Sequence, residues 1–159
     1  GIPAESVAQA MAAFPGIEHR LEFFAQSGGI KWYNDSASTI PQAVQAALES
    51  FGSPVVLITG GTDKNIDFGS VSKAYSKAKA LVLLEGSGTE KLIPQLLDQG
   101  LAWKGPYGCL ESAVEAAAEL ARAGDAVLLS PGCASFGMFL HEFDRGKKFK
   151  EAVRLFLST

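Results

Sequence analysis

Cysteine is scarce in this sequence of 159 residues: only Cys109 and Cys133 occur, and neither stands in a C-x-x-C pair or at ligand spacing from a histidine. A disulfide scaffold and a zinc site are therefore not expected, and both thiols are predicted to be structural. No apolar run reaches the ~18 residues that would cross a bilayer, and the N-terminus lacks the basic-then-apolar order of a secretion signal. We therefore expect a cytoplasmic protein.

No charge of one sign dominates, since 14 basic and 17 acidic residues give a formal net charge of -3. Such a chain has no long-range field that would draw it onto a polyanion or an anionic bilayer, so nucleic acid and membranes are not expected as partners. The sequence also lacks the Walker pattern G-x-x-x-x-G-K-[ST] and the serine-hydrolase pattern G-x-S-x-G. We therefore do not expect this chain to bind a triphosphate through a Walker loop.

The residues that are present suffice for one domain, because 47 % of them are hydrophobic and a chain of this length buries roughly 68–70 % of its unfolded surface. A helix is predicted over 4–14, followed by two β-prone runs, 20–26 and 30–35, that form a hairpin-like pair. After that, strands that are apolar on both faces alternate with helices. Such alternation predicts a three-layer, Rossmann-like α/β fold with a mostly parallel sheet and helices on both faces. The predicted strands are 55–59, 80–85 and 126–130, and the predicted helices are 41–51, 68–79, 89–99, 110–123 and 138–157.

Four polar segments follow the predicted strands: 34–39, 60–64, 86–89 and 130–135. In a parallel sheet, ligands gather where strand carboxyl ends meet helix N-termini, because free N–H groups point there. We therefore expect all four segments to line one edge of the sheet. The segment 86–89 has only two glycines of a dinucleotide-binding fingerprint, with Lys91 at the third position, so a turn that starts a helix is favoured there.

The other three segments each carry side chains suited to an anionic or polyhydroxyl ligand. Asp35 can orient a nucleotide group, and Thr39 can donate to an anion, although a hydroxyl of this segment could instead cap the next helix. Lys64 can hold a carboxylate across the gap left by two glycines, or it can be an ordinary solvated lysine. Ser135 faces an anion site at a helix N-terminus, whereas Cys133 has no evident base beside it and is predicted to be a packed thiol.

Taken together, five motifs resemble the C-terminal domain of the Mur ligase family in their order and spacing: HR at 19–20, YNDSAST at 33–39, GGTDK at 60–64, LLSPGCASFGMF at 128–139 and DRG at 144–146. The resemblance lies nearest to the branch that adds D-glutamate. It covers residues 17–159, whereas residues 1–16 resemble the end of the preceding central domain and its linker. Two departures stand inside the motif 33–39 and just after it, where Ala37 and Ile40 replace the usual lysine and asparagine.

This resemblance implies an ADP-forming ligase that uses ATP and Mg²⁺ to add D-glutamate to UDP-N-acetylmuramoyl-L-alanine in peptidoglycan synthesis. ATP and Mg²⁺ would be held mainly by the central domain, so the chain alone would not turn over, and no metal ligand or certain catalytic residue is expected in it. The residues implied to bind D-glutamate are Thr39, Lys64, Ser135, Phe136 and Phe143, although constant spacing from Ser135 would put Glu142 in place of Phe143. The residues implied to contact the nucleotide are Arg20, Asn34, Asp35 and Ser36. Asp63 is a further neighbour of the implied site residues, with no ligand assigned to it.

Two alternatives remain open at this point. The chain could belong to another amino acid ligase of the same superfamily, similar to folylpolyglutamate synthase or to a MurT-like amidating partner. It could also be a non-catalytic α/β interaction module that kept the fold and lost its ligands. Thr39, Lys64 and Ser135 argue against the module, because these three residues provide the cation and hydroxyls that an acidic amino acid needs.

Overall fold

A six-stranded sheet organises the computed structural model, which describes residues 1–69 and 72–158. The strands lie in the order β1-β2-β6-β3-β4-β5; β1 and β2 form an antiparallel hairpin, and all other neighbours are parallel. The strands are β1 Glu22–Ser27, β2 Ile30–Asn34, β3 Val55–Gly60, β4 Ala80–Leu84, β5 Trp103–Tyr107 and β6 Ala126–Leu129. The helices are α1 Ala4–Ala13, α2 Pro41–Glu49, α3 Ser87–Asp98, α4 Leu110–Leu120 and α5 Glu142–Leu157, with a 3₁₀ helix at Ser72–Lys77.

Two hydrophobic clusters cover the two faces of the sheet, because alternate residues of each central strand point to opposite sides. Val56 and Ile58 of β3 belong to the cluster that α4 and α5 cover, in which Phe149 is fully buried. Val55 and Leu57 belong to the opposite cluster, which α2 and α3 cover. The predicted three-layer α/β fold with a mostly parallel sheet is confirmed.

Three local expectations need correction. The strand β5 was not predicted, because Gly105 and Pro106 stand inside it and both are disfavoured in strands; its edge position tolerates a residue that cannot donate to the ladder. The predicted helix 138–157 begins only at Glu142, so Ser135 lies in an irregular loop and the expectation that it stands at a helix N-terminus is wrong. The helix predicted over 68–79 is a 3₁₀ helix at Ser72–Lys77, and its positions 70 and 71 lie outside the described residues.

The helix α1 contributes no buried residue, and the apolar side chains of Met11 in the helix and Phe14 just after it are largely exposed. The boundary predicted at residue 16 stays a prediction. Within the described residues, no helix combines the length and the apolar character that crossing a bilayer requires.

Candidate functional site

The loops that leave β2, β3 and β6 meet at one edge of the sheet, because β6 lies between the other two strands. We call them the β2 loop (35–40), the β3 loop (61–66) and the β6 loop (130–136). The amide of Gly132 donates to the Ser38 carbonyl at 2.9 Å, which joins the β6 loop to the β2 loop. The amide of Gly60, at the end of β3, donates to the Pro131 carbonyl at 2.8 Å. The predicted convergence of these segments is therefore observed.

Lys64 is brought against the β6 loop. Thr62 and Ala134 exchange two backbone hydrogen bonds of 3.0 Å each, and the Thr62 hydroxyl donates to the Phe136 carbonyl. These contacts set the Lys64 ammonium over the Phe136 ring, 4.6 Å from its centroid. The lysine side chain is exposed and forms no ion pair with the described residues, so its charge faces solvent and one aromatic ring.

The hydroxyls of Thr39 and Ser135 have no hydrogen-bond partner among the described residues. The alternative in which Ser38 or Thr39 caps α2 is wrong, since Ile40 occupies the cap position without a side-chain bond and the Ser38 hydroxyl donates to Asp35. Ser135 is buried, and its carbonyl accepts from Phe139 at 3.1 Å. Both hydroxyls are thus available to a ligand at this edge.

Arg20 and Asp35 line one groove of about 230 Å³, whose wall is formed by alanines of α2. Arg20 is exposed, and its guanidinium has no partner in the described part of the chain. Asp35 is buried: its carboxylate accepts from the Leu21 amide at 3.1 Å and from the hydroxyls of Ser38 and Ser130. The groove therefore offers one free cation beside a fixed carboxylate.

Asn34 and Ser36 are fully buried, and their polar groups are engaged inside the protein. Asn34 donates to Glu22 at 3.0 Å, lies 2.8 Å from the Nδ1 atom of His19 and accepts from the Ser36 amide. Burial of the His19 ring lowers its pKa, which favours the neutral imidazole that this contact needs. The Ser36 hydroxyl donates to the Glu142 carbonyl at 2.7 Å. These bonds shape the β2 loop, and nucleotide contact by either residue stays a prediction.

Phe143 lies in the first turn of α5, beside His19 and His141. Its half-exposed ring is 5.4 Å from the His19 ring and 5.9 Å from the His141 ring. No ring or cation contact joins it to Lys64 within the described residues. Glu142, the other candidate for this position, uses its carbonyl to bind Ser36. Contact of Phe143 with D-glutamate stays a prediction.

Arg145 is a central residue of the site that the sequence reasoning did not single out, although it lies inside the DRG motif. Its guanidinium is 1 % exposed and donates to the Ser36 hydroxyl at 2.9 Å, to the Ser36 carbonyl at 2.8 Å and to the Cys133 carbonyl at 3.1 Å. One side chain of α5 thereby ties the β2 loop to the β6 loop. Burial lowers the pKa of Arg145 to about 10, so the group stays positive at neutral pH.

The segment 86–89 is structural, as predicted. The Gly61 carbonyl accepts from the amides of Gly88 and Thr89, so these N–H groups at the start of α3 are not free for an anion. Asp63 forms an ion pair with Lys91, which lowers the pKa of that carboxyl. Cys133 is fully buried, and burial raises the pKa of its thiol to about 12, which confirms a packed thiol rather than a nucleophile.

One group of potential metal ligands occurs in the described part of the chain: Glu18, His19 and Glu22 lie close together. The Lys150 ammonium binds both carboxylates, at 2.9 Å to Glu18 and 2.8 Å to Glu22. A cation of the protein already occupies the position between these carboxylates. The residues therefore do not fit a Mg²⁺ site, which needs carboxylate oxygens free of such a partner.

Residues 19–133 match the family described as "Mur ligase, glutamate ligase domain". The chain is 48 % identical over 149 residues to a UDP-N-acetylmuramoylalanine–D-glutamate ligase of Treponema pallidum, covering 94 % of this chain and 28 % of the relative. It is 44 % identical over 159 residues to the protein of the same name in Roseiflexus sp., covering 98 % of this chain and 34 % of that protein. The chain thus spans about a third of the length of these relatives.

Two solved structures share the fold. The UDP-N-acetylmuramate-alanine ligase of Thermotoga maritima superposes with a TM-score of 0.70 at 17 % identity, over 100 % of this chain and 35 % of that protein. A bifunctional folylpolyglutamate synthase/dihydrofolate synthase of Yersinia pestis gives a TM-score of 0.61 at 14 % identity, over 99 % of this chain and 34 % of that protein. At such identities these likenesses define the architecture alone.

Proposed function

The chain belongs to the Mur ligase family, as its glutamate ligase domain, and we propose that it is the domain that binds D-glutamate in a ligase that adds this amino acid to UDP-N-acetylmuramoyl-L-alanine. The names of two relatives at 48 % and 44 % identity support this branch of the family over the others. Such a ligase is expected to work in peptidoglycan synthesis in the cytoplasm and so to serve cell division.

The observation that carries the proposal is the pattern of free polar groups at the sheet edge. The hydroxyls of Thr39 and Ser135 and the ammonium of Lys64 have no hydrogen-bonding or ionic partner among residues 1–69 and 72–158. Neighbouring polar side chains such as Asn34 and Ser36 are engaged internally. An amino acid with two carboxylates needs a cation and hydroxyl donors to receive them, and these three residues offer such groups.

The groove of Arg20 and Asp35 fits a nucleotide phosphate, because the free Arg20 guanidinium suits phosphate oxygens. Contact of Asp35 with a ribose hydroxyl stays a prediction, since its buried carboxylate already accepts three hydrogen bonds. When bound, ATP supplies the phosphoryl group that activates the carboxylate of UDP-N-acetylmuramoyl-L-alanine. Arg20 and Asp35 would help this domain close over the nucleotide. The Mg²⁺ would be held by the rest of the longer enzyme, since the group of Glu18, His19 and Glu22 does not fit it.

The chemical task of this domain is then to hold D-glutamate by its carboxylates and leave its neutral amine free to attack the phosphorylated carboxylate, so that the amide bond forms as the carbon–oxygen bond to phosphate breaks and phosphate leaves with the amine proton. The role of Lys64 and the two hydroxyls would be to orient the substrate. The chain alone would not turn over, since it has no Walker loop. Its affinity for D-glutamate should be about millimolar, or ~4 kcal/mol, because the rest of the closed cleft is absent.

Amide NMR shifts of the chain during separate titrations with D-glutamate, L-glutamate and meso-diaminopimelate test the proposal. Shifts that cluster on Thr39, Lys64 and Ser135 and saturate only with D-glutamate are expected. A preference for L-glutamate would favour a folylpolyglutamate synthase-like ligase, and no saturable shift with any of the three would favour an interaction module. Either result would overturn the D-glutamate assignment.

A further inference from the structure

Arg145 carries a buried positive charge that forms no salt bridge with the described residues, although the nearby Glu142 carboxylate interacts with it electrostatically. All three of its hydrogen bonds go to neutral acceptors, namely the hydroxyl and carbonyl of Ser36 and the carbonyl of Cys133. No salt bridge joins it to a carboxylate anywhere in 1–69 or 72–158. Buried charges in proteins are ordinarily paired, because removing an ion from water costs several kcal/mol. A guanidinium that is only 1 % exposed and forms no salt bridge therefore indicates a functional role.

The position of this charge is directly behind the proposed binding surface. Arg145 lines one small cavity together with residues of the β3 and β6 loops, including Gly61, Thr62, Ser135 and Phe136. A Cβ atom at Gly61 would lie 3.7 Å from the Nη1 atom of Arg145. The guanidinium thus lies close to the loops that carry Lys64 and Ser135, in a cavity whose one acidic lining residue, Glu85, is exposed and forms no salt bridge with Arg145.

We propose that Arg145 is the second cation of the acidic-ligand site: it holds the β2 and β6 loops together, and its charge, which forms no salt bridge, attracts the ligand carboxylates through the floor of the site. Arg145 is a positioning residue, since it acts from behind the loops and Lys64 makes the direct contact. The inference rests on the proposed function and deepens it. It predicts that the buried Arg145 and the exposed Lys64 both contribute to the preference for a charged ligand over a neutral one.

The experiment compares D-glutamate with its two neutral amides, D-glutamine and D-isoglutamine, in titrations of the chain at constant ionic strength. Each amide lacks one of the two carboxylate charges of D-glutamate. In Arg145→Gln, the ratio of the affinity for D-glutamate to the affinity for the amide that lacks the carboxylate nearer to Arg145 should fall by roughly three- to tenfold. Arg145→Lys keeps the charge and should keep most of the preference. A purely structural role would weaken all three ligands equally in both variants, and that result would overturn the proposal.

A second variant decides the matter if Arg145→Gln does not fold. Lys64 is exposed, so Lys64→Met should fold normally and remove the direct cation only. If Arg145 contributes its charge, Lys64→Met retains a measurable preference for D-glutamate over both amides, and added salt weakens it little because a buried charge is poorly screened. Complete loss of the preference in Lys64→Met would overturn the role of Arg145 alone. Absence of D-glutamate binding by the unmodified chain would instead overturn the proposed function and this inference with it.

Discussion

The Lys64 ammonium lies 4.6 Å from the centroid of the Phe136 ring, on a loop that is tied to the β6 loop by two backbone hydrogen bonds between Thr62 and Ala134. The ring holds a flexible lysine near one position without neutralising it, since a cation–π contact is worth only about 0.5–1 kcal/mol at an exposed site. A carboxylate ligand can therefore replace or supplement the ring at small cost. Under the proposed function, the pair would keep an exposed lysine ready for an acidic ligand.

Lys64→Ala should lower the affinity for D-glutamate about tenfold to a hundredfold, since a charge-assisted hydrogen bond contributes roughly 1.5–3 kcal/mol. Titration followed by amide NMR shifts measures the change in this chain. Lys104→Ala is the matched control, because Lys104 is an exposed lysine of the edge strand β5 without an ion pair in the described structure. Equal affinity in the two variants would remove Lys64 from the site.

Phe136→Leu should weaken D-glutamate binding by roughly two- to fivefold, the equivalent of one exposed cation–π contact. Loss of the Phe136 ring should also increase the motion of the Lys64 side chain, which NMR relaxation of the Nζ group measures directly. Phe23→Leu is the control, since Phe23 is also about half exposed but contacts Tyr33 on the hairpin. Unchanged Lys64 motion in Phe136→Leu would show that the ring does not restrain the lysine.

The sequence predicted the sheet and the meeting of its loops because both follow from simple rules. Strands such as 55–59 are apolar on both faces, and parallel strands put their carboxyl ends at one edge. These rules could not predict the internal roles of Asn34 and Ser36, because the two residues become buried only when α5 packs over the hairpin. That packing depends on Gly146, where a Cβ atom would lie 2.3 Å from the Nδ1 atom of His19.

The burial and the role of Arg145 could not be predicted from the sequence for a related reason. It stands beside an aspartate and two lysines in a helix with many charged residues, a pattern typical of a solvated face. Only the fold turns that one side chain inward, toward the carbonyls of Ser36 and Cys133. Sequence patterns report the average character of a helix face, whereas the burial of one arginine depends on what the neighbouring loops present to it.

The two thiols should differ sharply in reactivity. Cys109 is exposed, whereas Cys133 is buried with its pKa raised to about 12, so almost none of it is thiolate near neutral pH. Thiol titration of the native chain should therefore label one cysteine quickly, and titration of the unfolded chain should label both. Cys109→Ser should abolish the fast phase. A fast phase that persists in Cys109→Ser would show that Cys133 is accessible.

Asp125 should make stability depend on pH at the acidic end. Its carboxylate is 7 % exposed, pairs with Lys79 and accepts from the Arg122 amide at 2.7 Å, and these contacts lower its pKa in the folded state. The folded pKa lies below the unfolded one, so the stabilisation is present above the unfolded value of ~3.9 and disappears as the pH falls through the folded pKa.

Asp125→Asn should therefore lower the melting temperature at neutral pH, and the difference from the unmodified chain should shrink in acid. Thermal unfolding at a series of pH values measures it. Asp98→Asn is the control, because Asp98 is an exposed aspartate at the end of α3 without an ion pair among the described residues. A difference between Asp125→Asn and the unmodified chain that is the same at every pH would contradict the role of the carboxylate charge.

Gly88→Ala tests how closely α3 approaches the β6 loop. Helix propensity alone would favour alanine by about 1 kcal/mol. A Cβ atom at Gly88, however, would lie 2.8 Å from the Cys133 sulfur and 2.9 Å from the Gly61 carbonyl oxygen, and neither a buried thiol nor a backbone carbonyl yields easily. The clash should outweigh the propensity, so chemical denaturation should show that the free energy of unfolding falls by roughly 1–3 kcal/mol.

Gly52→Ala is the control, because a Cβ atom at Gly52 would meet no atom within 4 Å, and this variant should change the free energy of unfolding little. Stabilisation of Gly88→Ala would mean that the two segments lie further apart than the structure shows.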